Sequence, residues 1–201
     1  QINTYAFNPS HFRHEPYPRT LPPGSTWPPE RTEDIVGAVP GGNGDVGCVG
    51  ERCYTDEICA NPFCEHTFEQ WRKATAHWEE CFELRLTEAR GIGVFAQREF
   101  RAGQVLGWYA GEPRTLDNCG EGDYLMEMEI GVTGRGDSGV GEATVFIDAE
   151  RKGNWTRFIN HSCNPHAVFR IRRAGNLRIM AVEAIRDVGV GEELSVGYGD
   201  E

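Results

Sequence analysis

The stretch 154–167, reading Asn-Trp-Thr-Arg-Phe-Ile-Asn-His-Ser-Cys-Asn-Pro-His-Ala, constrains this chain more than any other. It sets an Arg, an Asn, a His, a Cys and a Pro between two apolar, strand-like runs. Polar groups at that density are costly to bury without partners, so the fold must bring hydrogen-bonding groups, or a ligand that supplies them, to this segment. The flanking sequence shows what kind of fold that is. Residues 83–87, 93–96, 105–110, 124–130, 143–149, 167–172, 177–184 and 193–198 read as strands, separated by turns such as Arg101-Ala102-Gly103. Alternation in 124–130 puts Tyr124, Met126, Met128 and Ile130 on one face, with Glu127 and Glu129 on the other. A glycine-rich turn follows, and its Arg135-Gly136-Asp137 triplet reads as a hairpin tip rather than an adhesion motif. Many short strands with few helices imply a mainly β body of several small sheets.

Upstream the text changes character twice. Residues 1–47 hold eight of the eleven prolines and a glycine run at Gly41, Gly42 and Gly44, a composition that removes backbone donors and disfavours helix. This is expected to be an extended arm, either disordered or draped over the body with Tyr5, Phe7, Phe12 and Trp27 as anchors. Residues 48–81 carry Cys48, Cys53, Cys59 and Cys64, with His66 and Cys81 beyond. Four thiols within this span could close one tetrahedral zinc site, pair as disulfides or remain free and buried. From Thr67 the recurrence of Phe68, Trp71, Ala74 or Thr75, Trp78 and Phe82 predicts a helix that packs one apolar stripe on the body, capped by Thr67 with Gln70. The third segment, 82–201, is the β body.

A net charge of -11 over 201 residues argues against a sequence-independent grip on nucleic acid, which needs clustered Lys and Arg. It suits a basic partner, although acidity also serves solubility alone. No apolar run approaches the length of a membrane span, so a soluble globular protein is expected. Seven cysteines leave at least one unpaired within the chain. No secretory signal begins at Gln1, and a start without Met suggests a trimmed or processed chain. The sequons at Asn154 and Asn160 lie inside the polar stretch and read as accidental.

Within that stretch, Arg157-Phe158-Ile159-Asn160-His161-Ser162-Cys163-Asn164-Pro165 resembles the signature loop of the SET-domain protein lysine methyltransferases. Further motifs stand in the family's order. Arg90-Gly91-Ile92-Gly93-Val94-Phe95-Ala96 resembles its Gly-x-Gly turn, Tyr109-Ala110-Gly111-Glu112 its Tyr-x-Gly-Glu, and Gly191-Glu192-Glu193-Leu194-Ser195-Val196-Gly197-Tyr198 its closing motif. The resemblance implies a SET fold, in which the last strand passes beneath the signature loop in a knot-like crossing and brings Tyr198 beside Asn160 and His161.

It also implies S-adenosyl-L-methionine as cofactor. Arg157 would bond the carboxylate, the Asn160 amide would accept from the ammonium, and backbone groups of His161 would pair with the adenine. The Gly91-Ile92-Gly93 turn would bring bare backbone close to the methionine portion. Tyr198 would be the catalytic tyrosine that aligns a neutral lysine amine, Tyr124 a second tyrosine of the lysine channel, and Phe169 part of its wall. A histone tail is the substrate such a family favours, which implies chromatin regulation in the nucleus.

The match departs at His166, where the family usually has Asn, and at Gly197, where Asp often precedes the tyrosine. The run to Glu201 also lacks the Cys-x-Cys-x4-Cys tail that roofs the channel in many members, so further sequence or another segment, such as the N-terminal arm, would close the site. Two alternatives stand beside methyl transfer. One is a non-enzymatic SET module that binds a partner or scaffolds an assembly, and the other is a secreted disulfide-bonded domain.

Overall fold

The computed structural model describes residues 1–15, 26–38, 46–50, 59, 61, 63–133 and 141–197. Cys53, the Arg135-Gly136-Asp137 triplet and Tyr198 lie outside them. Among the described residues the strands are β1 (Phe82–Leu86), β2 (Ile92–Ala96), β3 (Val105–Trp108), β4 (Glu112–Arg114), β5 (Leu125–Thr133), β6 (Gly141–Asp148), β7 (Asn160–His161), β8 (Ala167–Ala174), β9 (Leu177–Ala184) and β10 (Glu193–Val196). They form one sheet in the order β1-β2-β10-β8-β9-β3, with β7 added beside β10, and a second sheet in the order β4-β6-β5. The mainly β architecture of small sheets is therefore as expected. On β5, Met128 and Ile130 are buried while Glu127 and Glu129 face solvent, in the period of two that the alternation predicts.

The expected crossing follows from four backbone hydrogen bonds and pairings. Strand β10 runs parallel to β7, with Ser195 opposite Asn160 and Val196 opposite His161, and parallel to β8, with Val196 opposite Ala167. Ser162 N–H donates to Val196 O at 2.9 Å and His166 N–H to Ser195 O at 3.0 Å. Successive carbonyls of an extended strand face opposite edges. The chain from Ser162 to His166 therefore passes from one edge of β10 to the other and straddles it. This is where the dense polar stretch finds its partners.

The arm drapes over the body wherever it is described. Tyr5 is buried, stacks with Phe68 and donates its hydroxyl to Arg178 O at 2.6 Å. Burial pushes that phenol pKa well above its ordinary value. Phe12 is fully buried against Phe7 and Trp27. One expectation fails here, because a short helix, α1 (Glu33–Val36), forms in the arm. It lies in the proline-free run 30–39, so the argument against helix does not reach it.

The predicted longer helix is also cut short. Helix α2 (Phe68–Ala74) begins at the Thr67–Gln70 capping box and buries Trp71. The Thr75 hydroxyl then bonds Trp71 O at 3.0 Å and the side chain of Asn3, a competing arrangement that ends the helix. Trp78 instead sits in a separate 3-10 turn and stacks on Trp155 at 5.8 Å. One apolar cluster joins Tyr5, Phe12, Ile35 and Trp71 to Trp108, Ile147 and Ile179, so arm, Cys-containing segment and body share a core. The other lies under the crossing and includes Phe82, Trp155, Ile159 and Val196.

Candidate functional site

A cavity of about 1070 Å³ opens where the crossing meets β2, β5 and β8. Small-molecule sites usually hold roughly 300–1,000 Å³, so this one has room for a ligand the size of a nucleoside conjugate. Among its lining residues are Gly91, Ile92, Tyr124, Arg157, Asn160 and Phe169. The structure thus gathers six sequence-predicted residues from four separate stretches of chain.

Each is placed by a local cause. Asn154 caps the 3-10 turn Trp155–Phe158 and is itself pinned by Nδ2 to Trp108 O at 2.7 Å, which sets where Arg157 leaves the turn. Arg157 Nη1 donates to Glu150 O at 2.8 Å, and its guanidinium lies over the Tyr124 ring at 4.4 Å. Arg157 Nε is buried without a hydrogen-bond partner among the described residues.

Asn160 Nδ2 donates to Glu193 Oε1 at 2.7 Å. That bond fixes the amide orientation, so that its oxygen is the group left to accept from a ligand. Glu193 Oε2 in turn receives Arg90 Nη2 at 2.6 Å, and Arg90 Nη1 donates to His161 O at 3.0 Å. Arg90 thereby straps the Gly-x-Gly turn to the signature loop. Gly91 adopts a φ of +67°, which side chains rarely accept. A Cβ on Gly93 would stand 2.6 Å from Glu193 Oε1 and 3.2 Å from Asn160 Nδ2, so only glycine lets β2 approach this pair.

Two predicted residues do not line the cavity. Gly93 lies behind Asn160, and the exposed His161 follows Asn160 on a strand whose successive side chains alternate faces. The His161 ring instead stands 3.7 Å from Cys163 Sγ. Tyr109, from the Tyr-x-Gly-Glu motif, meets Phe169 edge-on at 5.7 Å and donates its hydroxyl to Tyr124 O at 2.8 Å, which fixes two residues of the cavity wall. Asp123 and Glu127, both exposed, give the cavity an acidic rim. No described residue of the arm lines the cavity. Arg90 and Glu193 stand within two of the motifs, yet the sequence alone assigns them no role. Their charges at the ends of two loops that meet were the available signal.

The cysteines part company. Among the described residues, Cys48, Cys59, Cys64, Cys119 and Cys163 are free thiols. Cys48 and Cys64 come together with His66, their ligand atoms all within 4.8 Å of one another, a set compatible with zinc. Cys59 turns away and bonds Asn61 O at 3.7 Å. Burial acts to raise the Cys64 thiol, but hydrogen bonds with Arg173 and His66 outweigh it and bring it down to about 6.

Comparison with known proteins bears on the cavity. The family model described as "SET domain" matches residues 91–199, a span that includes Tyr124, Arg157, Asn160, His161, Phe169 and Tyr198. A histone-lysine N-methyltransferase of Schizosaccharomyces pombe, H3 lysine-4 specific, is 38% identical over 112 residues, which are 53% of this chain and 11% of that protein. One of Candida albicans, H3 lysine-36 specific, is 28% identical over 153 residues, 76% of this chain and 17% of the relative. The chain therefore spans only a small part of these curated relatives. Among solved structures, that of the Neurospora SET domain protein DIM-5, a histone lysine methyltransferase, matches with a TM-score of 0.50 at 24% identity, covering 60% of this chain and 52% of the other. That likeness speaks to the fold. No helix among the described residues is long and apolar enough to cross a membrane.

Proposed function

We propose, from the premise that this chain belongs to the SET-domain family, that it transfers a methyl group from S-adenosyl-L-methionine to the side-chain amine of a protein lysine. The observation that carries this reading is the meeting of the Arg157 side chain and Asn160, with its amide oxygen left to accept, in one cavity. A zwitterionic amino-acid head needs that pair of complementary groups. When bound, the cofactor supplies an electrophilic methyl on a sulfonium centre.

The chain's own residues do the rest. Arg157 holds the carboxylate and Asn160 the ammonium, while the Gly91-Ile92-Gly93 turn admits the methionine portion against bare backbone. Tyr124 and Phe169 line the cavity and flank the incoming lysine. A lysine amine has a pKa of about 10.4 in water and must lose its proton to act as a nucleophile. An apolar channel next to a cation favours the neutral amine through desolvation and like-charge repulsion. Tyr198 aligns that amine, so orientation in a dry site supplies most of the acceleration.

The acidic rim of Asp123 and Glu127 suits a basic peptide, and histone methyltransferases among the relatives make a histone tail the favoured substrate. Such a substrate places the protein in the nucleus as a chromatin regulator. We assign nucleic acid no direct role. The test is mass spectrometry of core histones and basic peptide arrays after incubation with the chain and methyl-labelled cofactor. A labelled lysine product that disappears in Tyr198→Phe supports the reading. Cofactor binding with no transfer to any protein would favour the non-enzymatic module instead.

A further inference from the structure

We propose that Cys48, Cys64 and His66 form a structural zinc site at the end of the β8–β9 hairpin remote from the cavity. It is independent of the methyl-transfer reading. Cys48 Sγ stands 3.8 Å from His66 Nδ1, and the ligand atoms of all three residues lie within 4.8 Å of one another. Zinc bonds of about 2.3 Å to sulfur and about 2.0–2.1 Å to nitrogen, at tetrahedral angles, set an S···N edge of roughly 3.6 Å and an S···S edge of roughly 3.8 Å. The Cys48–His66 edge already stands near that value, and the other edges close on a metal by shortening about 1 Å at most.

The backbone holds these donors in place through separate local devices. Cys48 is bridged to both Cys59 and Arg173, and Val49 N–H donates to Arg173 O at 2.9 Å. Cys64 closes a turn through its N–H to Asn61 O at 3.3 Å, a turn that Asn61 Oδ1 also supports by accepting Phe63 N–H at 2.9 Å. His66 immediately precedes the Thr67 cap of α2. Around the sulfurs, Gly50 N–H donates to Cys48 Sγ at 3.3 Å and Arg173 Nη1 to Cys64 Sγ at 3.5 Å. Hydrogen bonds of this kind orient ligands and tune a metal site from outside its coordination shell.

Two thiolates and an imidazole select zinc over magnesium, calcium or manganese, which favour oxygen donors. Cys59 is not one of the donors within 4.8 Å of one another, although its backbone pairs with Cys48, and its Sγ lies 3.7 Å from Asn61 O. Among the described residues the site is thus a mixed Cys/His one, with His66 standing where spacing alone would have put Cys59. Arg173 lies near one end of β8 and the cavity residue Ala167 at the other. Seven residues of strand separate Ala174 from Ala167 by about 23 Å. At that distance the metal fastens the arm and the Cys-containing segment to the hairpin and takes no part in the chemistry.

Metal analysis and cobalt(II) titration of the full 201-residue chain test this directly. The expected result is one metal per chain and a tetrahedral cobalt spectrum with thiolate charge transfer. Both should persist in Cys59→Ser and vanish in His66→Ala, while His66→Cys, which keeps a donor, restores them. A folded wild type without that spectrum overturns the proposal, as does loss in Cys59→Ser with retention in His66→Ala. In the wild type, chelation is expected to expose Cys48 and Cys64 to alkylation and leave Cys59 unchanged. A rise at Cys59 equal to theirs, or none at Cys64, contradicts the assignment without recourse to any variant.

Discussion

Glu193 accepts from Asn160 on one carboxylate oxygen and from Arg90 on the other, which makes the orientation of Asn160 depend on a residue that does not itself line the cavity. Replacing Glu193 by Ala frees the Asn160 amide to rotate. A hydrogen bond to a charged group is worth about 1.5–3 kcal/mol, so the affinity for S-adenosylhomocysteine is expected to fall about tenfold or more. Affinity for 5′-methylthioadenosine, which has no ammonium, is expected to stay unchanged, and calorimetry with both ligands separates a positioning role from general damage. Gly93→Ala pushes the same pair apart and is expected to cost roughly 1–3 kcal/mol in urea unfolding, together with cofactor affinity. His166 gives a pH dependence. Burial, followed by the Arg186 charge, holds its imidazole below the ordinary 6.5 despite Glu192 and Glu193. Its ring faces Ser195 Oγ at 3.1 Å and Glu192 Oε2 at 3.9 Å. The unfolded chain takes up this proton first, so the stability His166 contributes is complete above pH 6.5 and is lost as pH falls through the lower folded value. Urea midpoints measured across this range should decline on acidification, and His166→Asn should flatten that part of the curve.

Elements with strong periodicity were legible in the sequence, while those made by contact with distant chain were not. The alternation of β5 and the capping box of α2 came through because both signals are local. Strand β4, only Glu112–Arg114, contains a proline and has no alternation to read, and β7 is two residues that pair only because β10 runs beneath them. Helix α2 was overextended because its apolar stripe continues through Trp78, whereas the contacts of Thr75 with Trp71 O and Asn3, a residue 72 positions away, end it. The sequence leaves the arm open between drape and disorder for the same reason, since its anchors find their partners far along the chain. Phe12→Ala measures how firmly it is held. Truncating a fully buried phenylalanine costs about 3–5 kcal/mol, and a loss of that size in urea unfolding is expected although Phe12 lies in a proline-rich segment. A change below about 0.5 kcal/mol, the usual range of surface positions, would show that the arm lifts away in solution.

At the scale of the molecule, a shared apolar cluster ties the arm and the Cys-containing segment to the β body, so we expect the three segments to unfold in one cooperative transition. Coincident fluorescence and circular dichroism curves would bear this out, and separated midpoints would divide the unit. Most of the candidate site was readable as motifs, because the chemistry of Arg157, Asn160 and Tyr124 is concentrated in short stretches. The strap from Arg90 through Glu193 and the choice of His66 over Cys59 depend on which loops meet, and spacing carries no record of that. The central claim is that one cavity grips a sulfonium donor by its amino-acid head. Calorimetric titration of the chain with S-adenosylhomocysteine tests it most directly. One saturable site per chain is predicted, weakened about ten- to a hundredfold in Arg157→Ala. A folded chain that takes up no ligand, or an Arg157→Ala variant that binds as tightly as the wild type, would contradict it.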